Sequence, residues 1–198
     1  YQPTKAPCQQ SNGTVEPDGM PEPKKFADSI TADYKILNEE ETSRNMDHLV
    51  LVMQDRFTHW LMAFATDSRD ARVTARCFRR FWGPQTFVEY VYSDCANEFA
   101  KALKICNITG DHSLPHRPQT NGVAERAVQR VKKGTASALG QSGFHDCWWA
   151  EAMAAYCFLR NVVDVLADGQ TAFKKRFGED YAGPIFPFGC RMFYQPQS

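Results

Sequence analysis

The sequence has no Cys-x-x-Cys pair and no long apolar run. Seven cysteines, at positions 8, 77, 95, 106, 147, 157 and 190, are odd in number and scattered. That pattern argues against a disulfide framework or a zinc knuckle and favours reduced thiols in a cytosolic or nuclear setting. No stretch reaches membrane-spanning length and no signal peptide opens the chain, so no membrane partner is expected. The first residue is Tyr1, which reads as a piece of a longer polypeptide. Net charge is zero. A nucleic-acid surface would therefore have to be local, not a property of the whole molecule. There are no internal repeats and no low-complexity tract.

The 198 residues suit one domain with appendages. Residues 1–25 are polar, lack apolar periodicity and read as a linker or the tail of a preceding module. From Phe26 to Leu37, Ile30, Ala32, Tyr34 and Ile36 alternate with Thr31, Asp33 and Lys35, which predicts a first strand. Residues 38–45 read as a turn or loop. "HLVLVMQD" and "HWLMAFAT" predict a hairpin. A helix is expected over about 69–82, capped by Asp67 or Ser68 and stopped by Gly83-Pro84. "TFVEYVYSD" predicts a fourth strand ending at Asp94, followed by a short helix over 97–106 and a last short strand over 108–112.

A long helix starts near Asn121, with Ala124, Val128, Val131, Thr135 and Ala138 as its buried stripe and Gly140 and Gly143 as its breakers. A second helix, about 145–163, presents Trp148, Ala152, Tyr156, Leu159 and Val163 on one face, which puts Trp148 in the core and Trp149 at a subunit contact. A short helix over 172–177 ends at Gly178, and residues 185–194 read as a strand. Strands first, then alternation, then helices predict a mixed sheet flanked by helices.

Within "PHRPQTNGVAERAVQR" one carboxylate, Glu125, stands among Arg117, Arg126, Arg130, Lys132 and Lys133. Asp33 and Asp94 stand in or at the ends of strands. Paired Mg²⁺ ions need hard oxygen ligands, and two such ions serve phosphoryl transfer. Glu125, Gln129 and Lys132 recur at four- and three-residue steps, which places a metal ligand, a polar contact and a phosphate-binding cation on one helix face. Asp55, at the end of the second strand, reads as a hairpin cap. His112 and His116 read as ordinary loop histidines.

The combined motifs resemble those of copia-type retrotransposon integrases. "YSDCANEF" and "PHRPQTNGVAER" are similar to that family's S-D-N-x-x-E-F and P-x-x-P-Q-x-N-G-V-A-E-R signatures. "MQDRFTHW" resembles its second-strand pattern, "WWAEAM", "CFLRN" and "TAFKKRFG" its following helices, and "FGCRMFY" its post-core strand. The resemblance covers about residues 26–194. It implies a ribonuclease H-like, five-stranded mixed sheet flanked by helices, with the core over 26–180 and a post-core segment from 181.

It further implies a catalytic and metal-binding triad of Asp33, Asp94 and Glu125, which would hold two Mg²⁺ or Mn²⁺ ions. DNA contacts are expected from Arg117, Asn121, Arg126, Gln129, Lys132 and Lys133. The implied activity is 3′-end processing and strand transfer on double-stranded DNA, by a homo-oligomer in the nucleus with a cytoplasmic phase. Two positions depart from the family. Cys95 replaces the usual Asn, and the interval between Asp94 and Glu125 is shorter. Cys95 keeps open an inactive or domesticated core that only binds DNA or protein.

Overall fold

The computed structural model describes residues 22–36, 42–84, 86–93, 97–108 and 118–193. Its sheet is built from β1 (Ser29–Lys35), β2 (Leu49–Asp55), β3 (Leu61–Thr66) and β4 (Tyr90–Tyr92), in the order β3-β2-β1-β4. β1 pairs antiparallel with β2, β2 antiparallel with β3, and β1 parallel with β4. The helices are α1 (Ala71–Trp82), α2 (Asn97–Ile105), α3 (Pro118–Ser142), α4 (Trp149–Val163) and α5 (Ala172–Phe177).

Strand alternation splits the core into two layers. Ile30, Ala32, Leu51, Met53 and Val91 pack beneath α1 and α2 against Phe78, Phe81 and Phe99. Val50, Val52, Leu61 and Ala63 face the other way and meet Val128, Val131, Trp149 and Met153 of α3 and α4. β2 is buried along its whole length. A continuous apolar run is what a central strand covered on both faces requires.

Four strands occur among the described residues, not five. Ile108 belongs to no strand and residues 109–112 of the expected fifth lie outside the description. Strand one is shorter than its alternation suggested because residues 26–28 form a turn in which Asp28 Oδ2 accepts from the Lys24 and Lys25 amides. The α1 cap is Asp70, whose Oδ1 accepts from the Arg72 amide, not Asp67 or Ser68. β4 spans three residues only. α3 starts at Pro118, a residue suited to a first helical turn. It runs through Gly140 and ends before Gly143, which takes φ +69°. Residues 185–193 form no strand; instead Phe188 packs edge-on to Phe144, their ring centres 5.5 Å apart.

Trp149, and not Trp148, is the fully buried member of the tryptophan pair. A 3₁₀ turn over Asp146–Trp148 precedes α4 and shifts its phase. Trp149 is 2 % exposed in the core, while Trp148 is half-buried with the Arg44 guanidinium 3.7 Å over its ring. The end of α4 also closes the sheet. Asn161 Nδ2 donates to the Leu61 carbonyl at 2.8 Å and its Oδ1 accepts from the Leu61 amide at 2.9 Å. That amide occupies backbone groups of the edge strand β3, which otherwise invite pairing with another chain. Next to it, Arg160 Nη1 donates to the His59 carbonyl.

α3 and α4 approach closely at Gly134, where a Cβ would overlap the Tyr156 ring. Gly134→Val is therefore expected to cost about 1–3 kcal/mol through overpacking. Urea unfolding checks this, and the penalty should shrink in a Tyr156→Ala background, as a double-mutant cycle would report.

Candidate functional site

Asp33 sits in the middle of β1. Its neighbours Ala32 and Tyr34 turn toward α1 and α2, so pleating turns Asp33 to the face covered by α3 and α4. Its cross-strand partner is Val52, itself in the α3-side core. Asp33 is 8 % exposed and its Oδ2 lies 3.3 Å from Lys35 Nζ. α3 crosses this face over β1 and β2. Sequence parity alone placed Asp33 on the side opposite its apolar neighbours, and the fold brings the helix of Glu125 over that side.

The other two aspartates near these strands are engaged locally. Asp55 is fully buried and faces the opposite layer, paired in register with Ile30. Its Oδ2 accepts from the Ala27 amide, and its Oδ1 accepts from the amide and hydroxyl of Thr58, so it closes the β2–β3 turn. Burial pushes its carboxyl above the usual carboxylate range, against the pull of those donors and of Arg176. Asp28 holds the turn before β1, as its amide contacts show.

On α3, Ala127, Val128, Val131 and Thr135 face inward and Glu125 is exposed. Glu125, Arg126, Gln129, Arg130 and Lys133 line one groove of about 640 Å³, walled on its far side by Tyr156 and Phe188. Lys132 lines a neighbouring cleft with Phe144 and Trp149. Glu125 and Lys132, seven residues apart, still lie within about 20° around the helix axis. Thus Glu125, Arg126, Gln129 and Lys133 share a groove, and Lys132 borders the same helix edge as Glu125. Asp94 and Arg117 lie outside the described residues, as do Cys95, His112 and His116. Asn121 is described only as part of the α3 backbone. Among the described residues no group of three His, Cys, Asp or Glu side chains is placed to hold a metal ion.

Three ionisable residues, Arg176, Arg56 and His59, were not singled out by sequence. Arg176 of α5 stacks over Phe26 at 4.0 Å and Trp60 at 4.6 Å, and its Nη2 donates to the Phe81 carbonyl. Burial lowers its pKa to about 10, while Asp55 supports its charge. Arg56, Arg130 and His59 surround a cavity at the start of α3. Nothing in the spacing of a hairpin arginine and a helix arginine announces that they meet.

His59 is exposed at the surface, yet the desolvation of its ring by the packed turn, then Lys175, Arg160 and Arg130, lower its pKa to about 4. Its ordinary value is 6.5. The unfolded chain therefore binds more protons than the folded one between those values, so stability falls as pH drops from about 6.5 toward 4. Urea midpoints measured across that range should show the loss, and His59→Asn should flatten it. Asn suits the +59° φ at this position.

No family model and no curated protein matches this chain. Solved structures do. The catalytic core domain of HTLV-2 integrase, in complex with magnesium and in a trimeric form, aligns with TM-score 0.60 and 13% identity over 77% of this chain and 97% of that one. The catalytic core domain of BIV integrase aligns with TM-score 0.53 and 20% identity over 75% of this chain and 92% of that one. The fold is the mixed α/β, ribonuclease H-like arrangement of these cores.

Proposed function

We propose that this chain is the catalytic core, over residues 26–180, of a copia-type retrotransposon integrase that trims DNA 3′ ends and joins them to target DNA. The observation that carries this reading is the placement of Asp33 beneath the helix of Glu125, on one face of the sheet. Parallel pairing supports the third ligand. Ser29 with Tyr90 and Thr31 with Tyr92 are each 61 positions apart. Asp33 and Asp94 are separated by the same interval in the sequence.

Carboxylates fit a hard divalent cation, so Asp33, Asp94 and Glu125 would hold Mg²⁺ or Mn²⁺. Such ions, when bound, supply Lewis-acid stabilisation of the attacking and leaving oxygens. The chain's own residues do the positioning. Arg126, Gln129 and Lys133 hold the DNA backbone in the groove beside Glu125, and Lys132 holds it at the adjoining helix edge. In trimming, a water oxygen forms a bond to phosphorus as the 3′ oxygen leaves and takes a proton. In joining, that 3′ hydroxyl attacks a target phosphodiester, with one P–O bond formed and one broken. Work as a homo-oligomer in the nucleus fits this activity, and the trimeric form of the HTLV-2 core supports the oligomer.

A strand-transfer assay with Mn²⁺, on oligonucleotides matching the element's ends, tests the reading. Joined product is expected. A second reading, a DNA-binding module without catalysis, draws on the Lys35 ammonium already beside Asp33; duplex binding without joining at any metal concentration would favour it. Lys132→Ala should weaken duplex binding across sequences and lower the slope of log K against log salt by roughly 0.9. Fluorescence anisotropy over a salt series checks this, and an unchanged slope returns Lys132 to a merely solvated face.

A further inference from the structure

Arg56 lies in the turn that follows β2, whereas Arg126 and Arg130 stand one turn apart on α3. All three meet at one cavity of about 220 Å³, completed by Gln54, His59 and Val123. Ligand pockets for drug-sized molecules run to about 300–1,000 Å³, so this one suits a small group. Guanidinium groups brought together repel, and the repulsion grows as water is removed. Here the crowding is visible in two groups. Burial, then Arg160, lowers the pKa of Arg130, with Arg126 adding to the effect. His59, though exposed at the surface, is held neutral at pH 7 by desolvation of its ring and by Lys175, Arg160 and Arg130.

Acidic groups reach the edges of this cluster, Glu125 in the adjoining groove among them. Asp164 acts on Arg130, and Asp168 acts on His59 but pairs with Lys175 at 2.9 Å. Three guanidinium groups converging on one cavity favour an anion there. Arginine forks match phosphate oxygens two at a time, and neutral His59 and Gln54 each offer an N–H without adding charge. Three forks exceed what the two oxygens of a carboxylate can receive, whereas a phosphate has more oxygens to offer. Arg126 and Arg130 also wall the groove that holds Glu125 and Lys133, so cavity and groove make one cationic track.

We propose that this cavity seats one backbone phosphate of the DNA strand lying along α3, clamped by Arg56, Arg126 and Arg130. The proposal rests on the nucleic-acid reading above. From Arg126 to Lys133 the helix rises about 10 Å. One strand of duplex rises about 3.4 Å per nucleotide, so the clamp and Lys133 meet phosphates on the order of three nucleotides apart.

The test uses the full chain and a fluorescent 20-mer duplex of mixed sequence, with binding followed across a salt series. Arg56→Gln and Arg130→Gln should each weaken binding and lower the salt slope by about 0.9. Arg130 is partly buried, so Arg56→Gln decides the matter if the Arg130 variant fails to fold. In parallel, the His59 ring resonances are titrated with pH in the presence and absence of the duplex. A phosphate beside the ring should raise the His59 pKa from about 4. Binding by the parent chain with unchanged slopes in the folded variants would overturn the clamp while sparing the nucleic-acid reading. Absence of duplex binding by the parent chain would overturn both. A His59 shift with inorganic phosphate, but none with duplex, would assign a free-anion site and also overturn the proposal.

Discussion

Glu125→Gln is expected to abolish metal-dependent end trimming and joining while the protein stays folded. The side chain is exposed on α3 and takes no part in the buried stripe of Val128, Val131 and Thr135. Substitution at such a surface position changes stability by no more than about 0.5 kcal/mol. The amide keeps the shape of the carboxylate but loses the negative charge through which a carboxylate binds a hard divalent cation. Loss of a metal ligand should cost at least about a thousandfold in rate, or about 4 kcal/mol in barrier. Duplex binding should survive, because Arg126, Gln129 and Lys133 in the same groove are untouched. The checks are a Mn²⁺-dependent joining assay, a melting curve and duplex anisotropy on one preparation. Joining by the folded variant would remove Glu125 from the site.

How far the sequence leads depends on whether a residue's role is local. β2 was legible because a run of five apolar residues, Leu49 to Met53, has few other homes in a domain of this size. α5 was legible from its end, where Gly178 closes the helix at φ +81°, and the structure adds Thr171, whose Oγ1 accepts from the Lys174 amide at the start. The direction of Asp33 followed from parity alone. Roles that depend on distant partners were hidden. Arg160 and Asn161 look like the polar side of an amphipathic helix, but their partners are His59 and Leu61, about a hundred residues upstream. The phase of α4 was hidden because a 3₁₀ turn advances the chain differently from an α turn, which buries Trp149 and leaves Trp148 at the margin of the same core. The expected strand over 185–194 had β-like composition, but Phe188 finds its burial against Phe144 on the helical layer. The joint cavity of Arg56 and Arg130 is of the same kind, since only the packing of α3 against the end of β2 brings the two together.

Asp33→Asn and Asp55→Asn should fail in opposite ways, and that contrast is the sharpest test of which aspartate serves the chemistry. Both carboxylates are at least nine-tenths buried, so burial does not separate them. Their faces do. Asp33 turns to the layer of α3, and the partner described for it is the lysine two residues on, whose own side chain is about half exposed. An ion pair of that kind contributes at most about 1 kcal/mol, so the folded state should tolerate the amide. Joining in Mn²⁺ should nonetheless fall by a thousandfold or more, on the order of 4 kcal/mol. Asp55 turns to the layer of α1 and α2, where three donors from Ala27 and Thr58 converge on its two oxygens. An amide in its place supplies one accepting oxygen and one NH₂. If the oxygen serves Thr58, the NH₂ confronts the Ala27 N–H, donor against donor, in a site closed to bulk solvent. A buried donor left unmade costs about 1–3 kcal/mol. For a chain of this length each kcal/mol lowers the melting temperature by roughly 2–4 °C. Loss of the carboxylate charge also removes the support that Asp55 gives to Arg176 between Phe26 and Trp60. Asp55→Asn should thus melt earlier, yet at a temperature where it is still folded its joining rate should stay within a fewfold of the parent. Normal joining by a folded Asp33→Asn, or complete loss by a folded Asp55→Asn, would transfer the metal-binding role from Asp33 to another carboxylate.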